Sequence, residues 1–289
     1  MDEQKYNDLK LGERGAYISI IAYICLSALK LFIGITSDSA ALKADGLNNS
    51  TDIVASIAVL IGLRISRRPA DKNHPYGHWK AETVASLVAS FIMAAVGLQV
   101  LYEAGSKVME GTESTPDLIS AWTAIFCAVI MYMVYRYNHR IAKKINSQSV
   151  MAAAKDNLSD AWVSIGTAVG IFGSQLGLPW LDPVTAVIVG LLICKTAWDI
   201  FREASHHLMD GFDVEQMDIY SDTIMEVKGV KGIKSVKARS YGNNAVVDVV
   251  ILVNSTLGIK EAHDISSIVE KKLMDEHEVY DVHVHVEPN

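Results

Sequence analysis

The sequence has little cysteine, and none of it is arranged for chemistry. Cys25, Cys127 and Cys194 each stand alone in an apolar stretch, with no CxxC among them. That argues against a disulfide framework or a cysteine-ligated zinc site and leaves three small hydrophobic side chains. No phosphate-cradling GxxxxGK[ST] loop occurs, so nothing supports ATP as the driving force. No nucleophile–base constellation accompanies the histidines, and no enzyme is expected. No cleavable leader is expected either: the first residues are polar and charged, and the first apolar run leads to no A-x-A-like site. The Lys and Arg clusters follow apolar runs and read as topology signals, with no nucleic-acid contact expected.

What is present points to a membrane. Half of the 289 residues are hydrophobic and the mean hydropathy is +0.22. That is too apolar for an ordinary soluble chain and too polar for a purely membrane one, so a membrane part joined to a soluble part is expected. Apolar runs of spanning length recur at 16–36, 40–65, 83–102, 118–135, 150–175 and 183–198, which predicts six transmembrane helices. Arg64, Arg67, Arg68, Lys72 and Lys80 follow the second run, and Arg136, Arg140, Lys143 and Lys144 the fourth. Lys5, Lys10 and Arg14 precede the first, while the alternate connections at 37–39, 110–117 and 176–182 hold no Lys or Arg. The positive-inside rule then places both termini in the cytoplasm of a multi-pass cell-membrane protein. Asp182-Pro183 fits an N-cap followed by proline at the first helical position. Gly111 with 112–116 breaks the chain between the third and fourth runs. Gly166, Gly170 and Gly173 permit close helix approach. Lys30, Lys43 and Lys195 are isolated and read as snorkelling side chains.

Acidic residues interrupt the second and fifth runs. Asn48 and Asp52 are four apart, as are Asp156 and Asp160, so each pair projects from one helix face. An ionisable side chain in the bilayer is costly and usually faces a cavity. Three carboxylates and an amide converging from two helices read as an all-oxygen cation site. At 1.5 Å per residue, Asp52 lies about 18 Å from one end of its run and Asp160 about 15 Å from the end of the other. Antiparallel neighbours would meet near the bilayer middle, where transporters hold substrate. Asp45 and Asn49 lie on the same face as Asn48 and Asp52, as an alternative ligand pair or a lining of the outward path.

From Phe212 the composition changes. Residues 213–289 carry 14 acidic and 8 basic side chains, most of the chain's net charge of −7. The pattern reads helix 213–227, strand 233–241, a turn at 242–244, strand 245–253, helix 260–276, strand 279–286. Gly-Asn between alternating strands signals a hairpin. The expected fold is a six-helix membrane bundle (15–210) after a cytoplasmic N-terminal arm (1–14). A cytoplasmic α+β domain of ferredoxin-like αββαβ order (211–289) follows, with helices on one face of its sheet and the means to pair two subunits.

These pieces resemble the cation diffusion facilitator family over nearly the whole length. The carriers are 44–52 (ADGLNNSTD), 71–82 (DKNHPYGHWKAE) and 156–160 (DNLSD). The resemblance implies a homodimer that exports a divalent metal ion in exchange for protons, with Asn48, Asp52, Asp156 and Asp160 as ligands. Zinc-handling members usually place a histidine in this tetrad, and this chain has none. Carboxylate and amide oxygens suit Mn2+, so the set resembles the manganese-exporting branch, with Zn2+, Fe2+, Co2+ and Cd2+ as alternative cargo and a resident cofactor not expected. Asp71, His74 and His78 match a second metal site on the loop after the second helix, or a loop-structuring motif. His74-xxx-His78 is not a zinc-hydrolase helix: the glutamate after the first histidine is missing, and Pro75 and Gly77 oppose the helix. His263, His283, His285 and Glu287 belong to a possible metal site in the tail, weakened because Lys234 and Val250 stand where zinc-type relatives have histidines. Lys80 and Asp210 match a structural charge pair. The reading of a different class is a membrane metal sensor that binds without flux.

Overall fold

In the computed structural model, residues 3–66, 68–110, 115–145, 148–241, 244–277 and 279–289 are described. Arg67, the break at 111–114 and the Gly242-Asn243 turn lie outside them. Six long helices come first: α1 (Glu3–Thr36), α2 (Ala40–Ser66), α3 (Ala81–Glu110), α4 (Leu118–Ile145), α5 (Gln148–Gln175) and α6 (Leu181–Leu208). Then follow α7 (Val214–Met225), β1 (Gly232–Tyr241), β2 (Asn244–Val253), α8 (Ile259–His277) and β3 (Asp281–Pro288). The chain divides into two compact units, Met1–Ile57 with Ala89–Asp199 and Ala58–Val88 with Ile200–Asn289.

Among the described residues, five of the six long helices are long and apolar enough to cross a membrane: Tyr17–Thr36, Ala40–Ser66, Ala81–Met109, Leu118–Lys144 and Leu181–Leu208. The sixth, α5, falls short of that apolarity. Lys155, Asp156, Asn157, Ser159 and Asp160 crowd its first half, and these residues include two of the candidate ligands.

The helix ends of the first unit are tied by side chains. Ser39 caps α2, its hydroxyl accepting from the Leu42 amide at 3.1 Å. Asp182 was expected to cap its own helix, but α6 already begins at Leu181. Its carboxylate instead accepts from the Ser39 hydroxyl at 2.6 Å and the Ala40 amide at 2.7 Å. One residue of α6 therefore satisfies donors that the start of α2 leaves open. Gly170 and Gly173 let α5 and α6 approach: a Cβ would lie 2.1 Å from the Thr185 hydroxyl and 2.3 Å from Leu181 Cδ1. A Cβ on Gly166 would meet nothing within 4 Å, so close packing explains two of the three glycines.

The C-terminal sheet has the order β1-β2-β3. β1 and β2 pair antiparallel with a register shift between Ile233 and Ser235, and β2 and β3 pair parallel. Along β2, Val247, Val249, Ile251 and Val253 are buried at period two, facing Tyr220 and Ile224 of α7 and Val269 and Leu273 of α8 in one core. Asp213 caps α7, accepting from the Glu215 amide. The expected helix–strand–strand–helix–strand order holds, with ends shifted by a few residues.

Leu273→Ala is expected to cost this core about 2–5 kcal/mol, read as faster amide exchange throughout β1, β2 and β3. Unchanged exchange there would contradict the assigned core.

Candidate metal-ion site

The second and fifth helices meet through Asn48 and Asp160. The Asn48 amide donates to Asp160 Oδ1 at 3.1 Å. The other Asp160 oxygen accepts from the Tyr23 hydroxyl of α1 at 2.6 Å. Behind Tyr23 runs a chain of neutral groups. Asn157 donates to the Tyr23 oxygen at 3.0 Å. Its own Oδ1 accepts from Ser19 at 3.0 Å and from Asn138 at 3.0 Å, while Asn138 also donates to Ser19 at 2.8 Å. α1, α4 and α5 thereby hold Asp160 in one orientation, as a buried ligand needs if it is to be in place before the ion arrives.

Asp52 is half-buried, and its Oδ2 is enclosed with no hydrogen-bond partner among the described residues. Asp156 is exposed and Asp160 buried. The structure thus brings Asn48 to Asp160 directly and leaves Asp52 and Asp156 one helical turn away on their own helices. Ligand atoms of Asp52, Asp156 and Asp160 do not all close to within 4.8 Å of one another. Four oxygen donors of this kind suit a hard dication once drawn together.

The alternative pair, Asp45 and Asn49, is occupied from within the chain. The Lys30 ammonium of α1 donates to Asp45 Oδ1 at 2.9 Å, Asn49 Oδ1 at 2.6 Å and Ser164 of α5 at 2.9 Å. The side chains of Lys30 and Asp45 have no solvent exposure. Lys30 therefore does not snorkel. Its charge is met inside the unit, where breaking a buried pair typically costs about 3–5 kcal/mol. Lys43 pairs instead with Glu103, and Lys195 with Asp199 one turn on. Tyr23, Asn157, Asn138 and Ser164 were missed by sequence reasoning, and Lys30 was misread. A signal existed for part of this set: Ser19, Tyr23, Ser27 and Lys30 recur at helical spacing within an otherwise apolar run.

In the second unit, Asp71, His74 and His78 do converge, with one ligand atom from each within 4.8 Å of the others, the one such cluster among the described residues. Asp71 Oδ1 accepts from the amides of Asn73 at 2.9 Å and His74 at 2.8 Å, with His74 Nδ1 at 3.1 Å and His78 Nε2 3.5 Å from Oδ2. Gly77 supplies the required positive φ of 81°. The His74 amide, chiefly, holds the Asp71 carboxyl below the usual aspartate range. Two imidazoles and a carboxylate fit a borderline dication.

The tail residues do not assemble in this way. His283 lies 3.3 Å from Asp281, and His285 3.9 Å from Glu287, but Glu287 is held by Lys234 at 2.7 Å. His263 is exposed on α8. Among the described residues these four form no three-ligand cluster within one chain. Lys80 and Asp210 pair at 2.7 Å, and Asp210 takes a positive φ of 59°.

A model of the cation efflux transmembrane domain matches residues 16–209, and one of the cation efflux protein cytoplasmic domain matches 212–289. The chain is 56% identical over 285 residues to the manganese efflux system protein MneS of Bacillus subtilis (strain 168), covering 99% of this chain and 98% of that protein. It is 33% identical over 288 residues to the manganese efflux system protein MneP of the same organism, covering 96% and 97%. A solved MamM-CTD variant is 22% identical, covers 27% of this chain and 99% of that one, and has a TM-score of 0.26.

The loop order that Asp71 provides is present above the ordinary aspartate range near pH 4. Because the carboxyl is lowered in the fold, that order is lost only as pH falls through its lowered value. Amide protection at Asn73 and His74 is therefore expected to hold from about pH 8 to about pH 4, and to vanish throughout in Asp71→Ala, which has no side-chain acceptor. Protection that survives the substitution would assign the turn to other bonds.

Proposed function

The chain belongs to the cation efflux family, and from that premise we propose that it exports Mn2+ in exchange for protons, with Asn48, Asp52, Asp156 and Asp160 as the ligands of the transported ion. It is a multi-pass membrane transporter, with a transmembrane helical domain and a cytoplasmic domain built on a small mixed sheet. The observation that carries the ligand assignment is the Asn48–Asp160 contact between α2 and α5, beside a rival pair already filled by Lys30. The absence of histidine from the set supports a hard ion. At a generic site Zn2+ binds more tightly than Mn2+, so oxygen ligands and cellular supply do the selecting. Two relatives named for manganese efflux support the same ion.

The chemistry follows from charge. Three carboxylates around a dication are balanced to within one unit. Without the ion they repel one another and take up protons, so ion and proton compete for the same oxygens. Ion entering from the cytoplasm releases protons, rocking of the bundle exposes the site outward, and external protons displace the ion. In this reading α5 is the sixth span despite its polar half, because its charged residues face the ion path. Both termini lie in the cytoplasm, following the loop charges. Two copies pair through the C-terminal domain, in which α7 and α8 pack against the sheet in one core. Asp71, His74 and His78 form a secondary metal site, and Lys80 with Asp210 is a structural pair.

In proteoliposomes under a proton gradient, Asp160→Asn is expected to abolish Mn2+ flux, and undiminished flux with proton release would overturn the ligand assignment. Asn48→His is expected to raise the Zn2+-over-Mn2+ preference at least tenfold, since imidazole suits zinc. An unchanged preference would remove the amide from the selecting set. Metal binding without flux in the unaltered protein would favour a sensor.

A further inference from the structure

Lys30 has no part in the cycle just described, yet it is the most enclosed cation among the described residues of the membrane unit. Its three donors meet three acceptors, Asp45, Asn49 and Ser164, which fills the capacity of an ammonium. Those acceptors belong to α2 and α5, the helices that carry the proposed ion ligands. Their order locates the ammonium. From Asn48 to Asp45 the chain steps toward the start of α2, and from Asp160 to Ser164 it steps toward the end of α5. The Asn48–Asp160 bond and the Lys30 bridge therefore run the two helices antiparallel. They place the ammonium about one helical turn from the ligands, on the side of the 37–39 and 176–180 connections. That side lacks Lys and Arg and is the external one in the proposed orientation.

Two further observations bear on what the ammonium does there. Asp45 Oδ2 is buried with no partner among the described residues, so Asp45 keeps an open acceptor while it holds Lys30. Asp52 and Asp160 lie within electrostatic reach of the same ammonium. A dication leaving the ligands outward meets a fixed positive charge in a low-dielectric interior, where their repulsion far exceeds thermal energy.

We infer that Lys30 is the gate of the release path, a tethered cation that holds Asp45 while the ion is bound and yields Asp45 to the ion as it leaves. The inference rests on the proposed transport reading. The displaced ammonium moves toward the carboxylates that the ion vacates, so no buried carboxylate is left without a positive partner during the exchange. Lys30 acts as a positioning residue, closing the path without ligating the ion.

The test uses full-length protein in proteoliposomes, with Mn2+ flux and proton counterflux recorded together, and Mn2+ affinity measured in detergent. Lys30→Met with Asp45→Asn removes both charges together, so neither is left without a counter-charge. This double variant is expected to bind Mn2+ within about threefold of the unaltered protein and to leak it downhill, with protons moved per Mn2+ falling at least fivefold. Asp45→Asn alone frees the ammonium to compete at Asp52 and Asp160, and is expected to weaken Mn2+ binding at least tenfold, restored in the double variant. A double variant with unaltered coupling, with lost Mn2+ binding, or with binding but no flux would overturn the gate. So would unchanged affinity in Asp45→Asn. Absence of Mn2+ flux in the unaltered protein would instead remove the transport reading itself.

Discussion

A charge enclosed among apolar helices is tolerated only when another group answers it, and the membrane unit is organised around that requirement. Lys30 and Asp45 satisfy it as a pair, with Asn49 and Ser164 completing the ammonium's bonds. Asp160 satisfies it with two neutral donors, Tyr23 and Asn48. The difference matters. A carboxylate matched by an ammonium is electrically settled, whereas one held by a hydroxyl and an amide keeps its full negative charge available. The same constraint that forces Lys30 onto Asp45 thus divides the acidic residues of α2 and α5 into one already paired with a cation and others held only by neutral groups or none.

Neutral side chains extend that division outward. The Ser19–Tyr23–Asn157–Asn138 network contributes no net charge, yet it orients Asp160 from three helices. A network of this kind is rigid because each member has its bond geometry set by the next. It explains why α1 carries a polar stripe through an otherwise apolar run. It also accounts for part of the polarity that keeps α5 out of the apolar spans: Asn157 and Asp160 have partners on α1, α2 and α4.

Much of this was legible in the sequence, for stated physical reasons. Apolar runs of spanning length marked α1 to α6, alternation marked β2, and Gly-Asn marked the β1–β2 connection. The four-residue spacing of Asn48 with Asp52 and of Asp156 with Asp160 marked the helix faces that meet. Sequence alone left open which carboxylate on α2 is paired with a cation inside the chain, because Asp45, Asn48, Asn49 and Asp52 share a face and differ only in what packs against them. The deciding residue, Lys30, lies on another helix and was misread because an isolated lysine in an apolar run usually reaches for the interface. Asp182 was misassigned for a related reason. Its Asp-Pro signature is local, but its carboxylate is spent on the start of α2. Local patterns identify elements well, while long-range partners of polar side chains depend on packing that spacing does not encode.

The Asp182 contact has a mechanical consequence. It pins α2 at Ala40, so any tilt of α2 turns about that end. Asn48 lies eight residues along and Ile57 seventeen, about 12 Å and 26 Å from the pin at 1.5 Å per residue. This stretch of α2 is therefore a lever with the proposed ion ligand Asn48 on its short arm. A displacement of 1 Å at Asn48 corresponds to about 2 Å at Ile57, so small adjustments around the proposed ion site are doubled by the end of this stretch of α2.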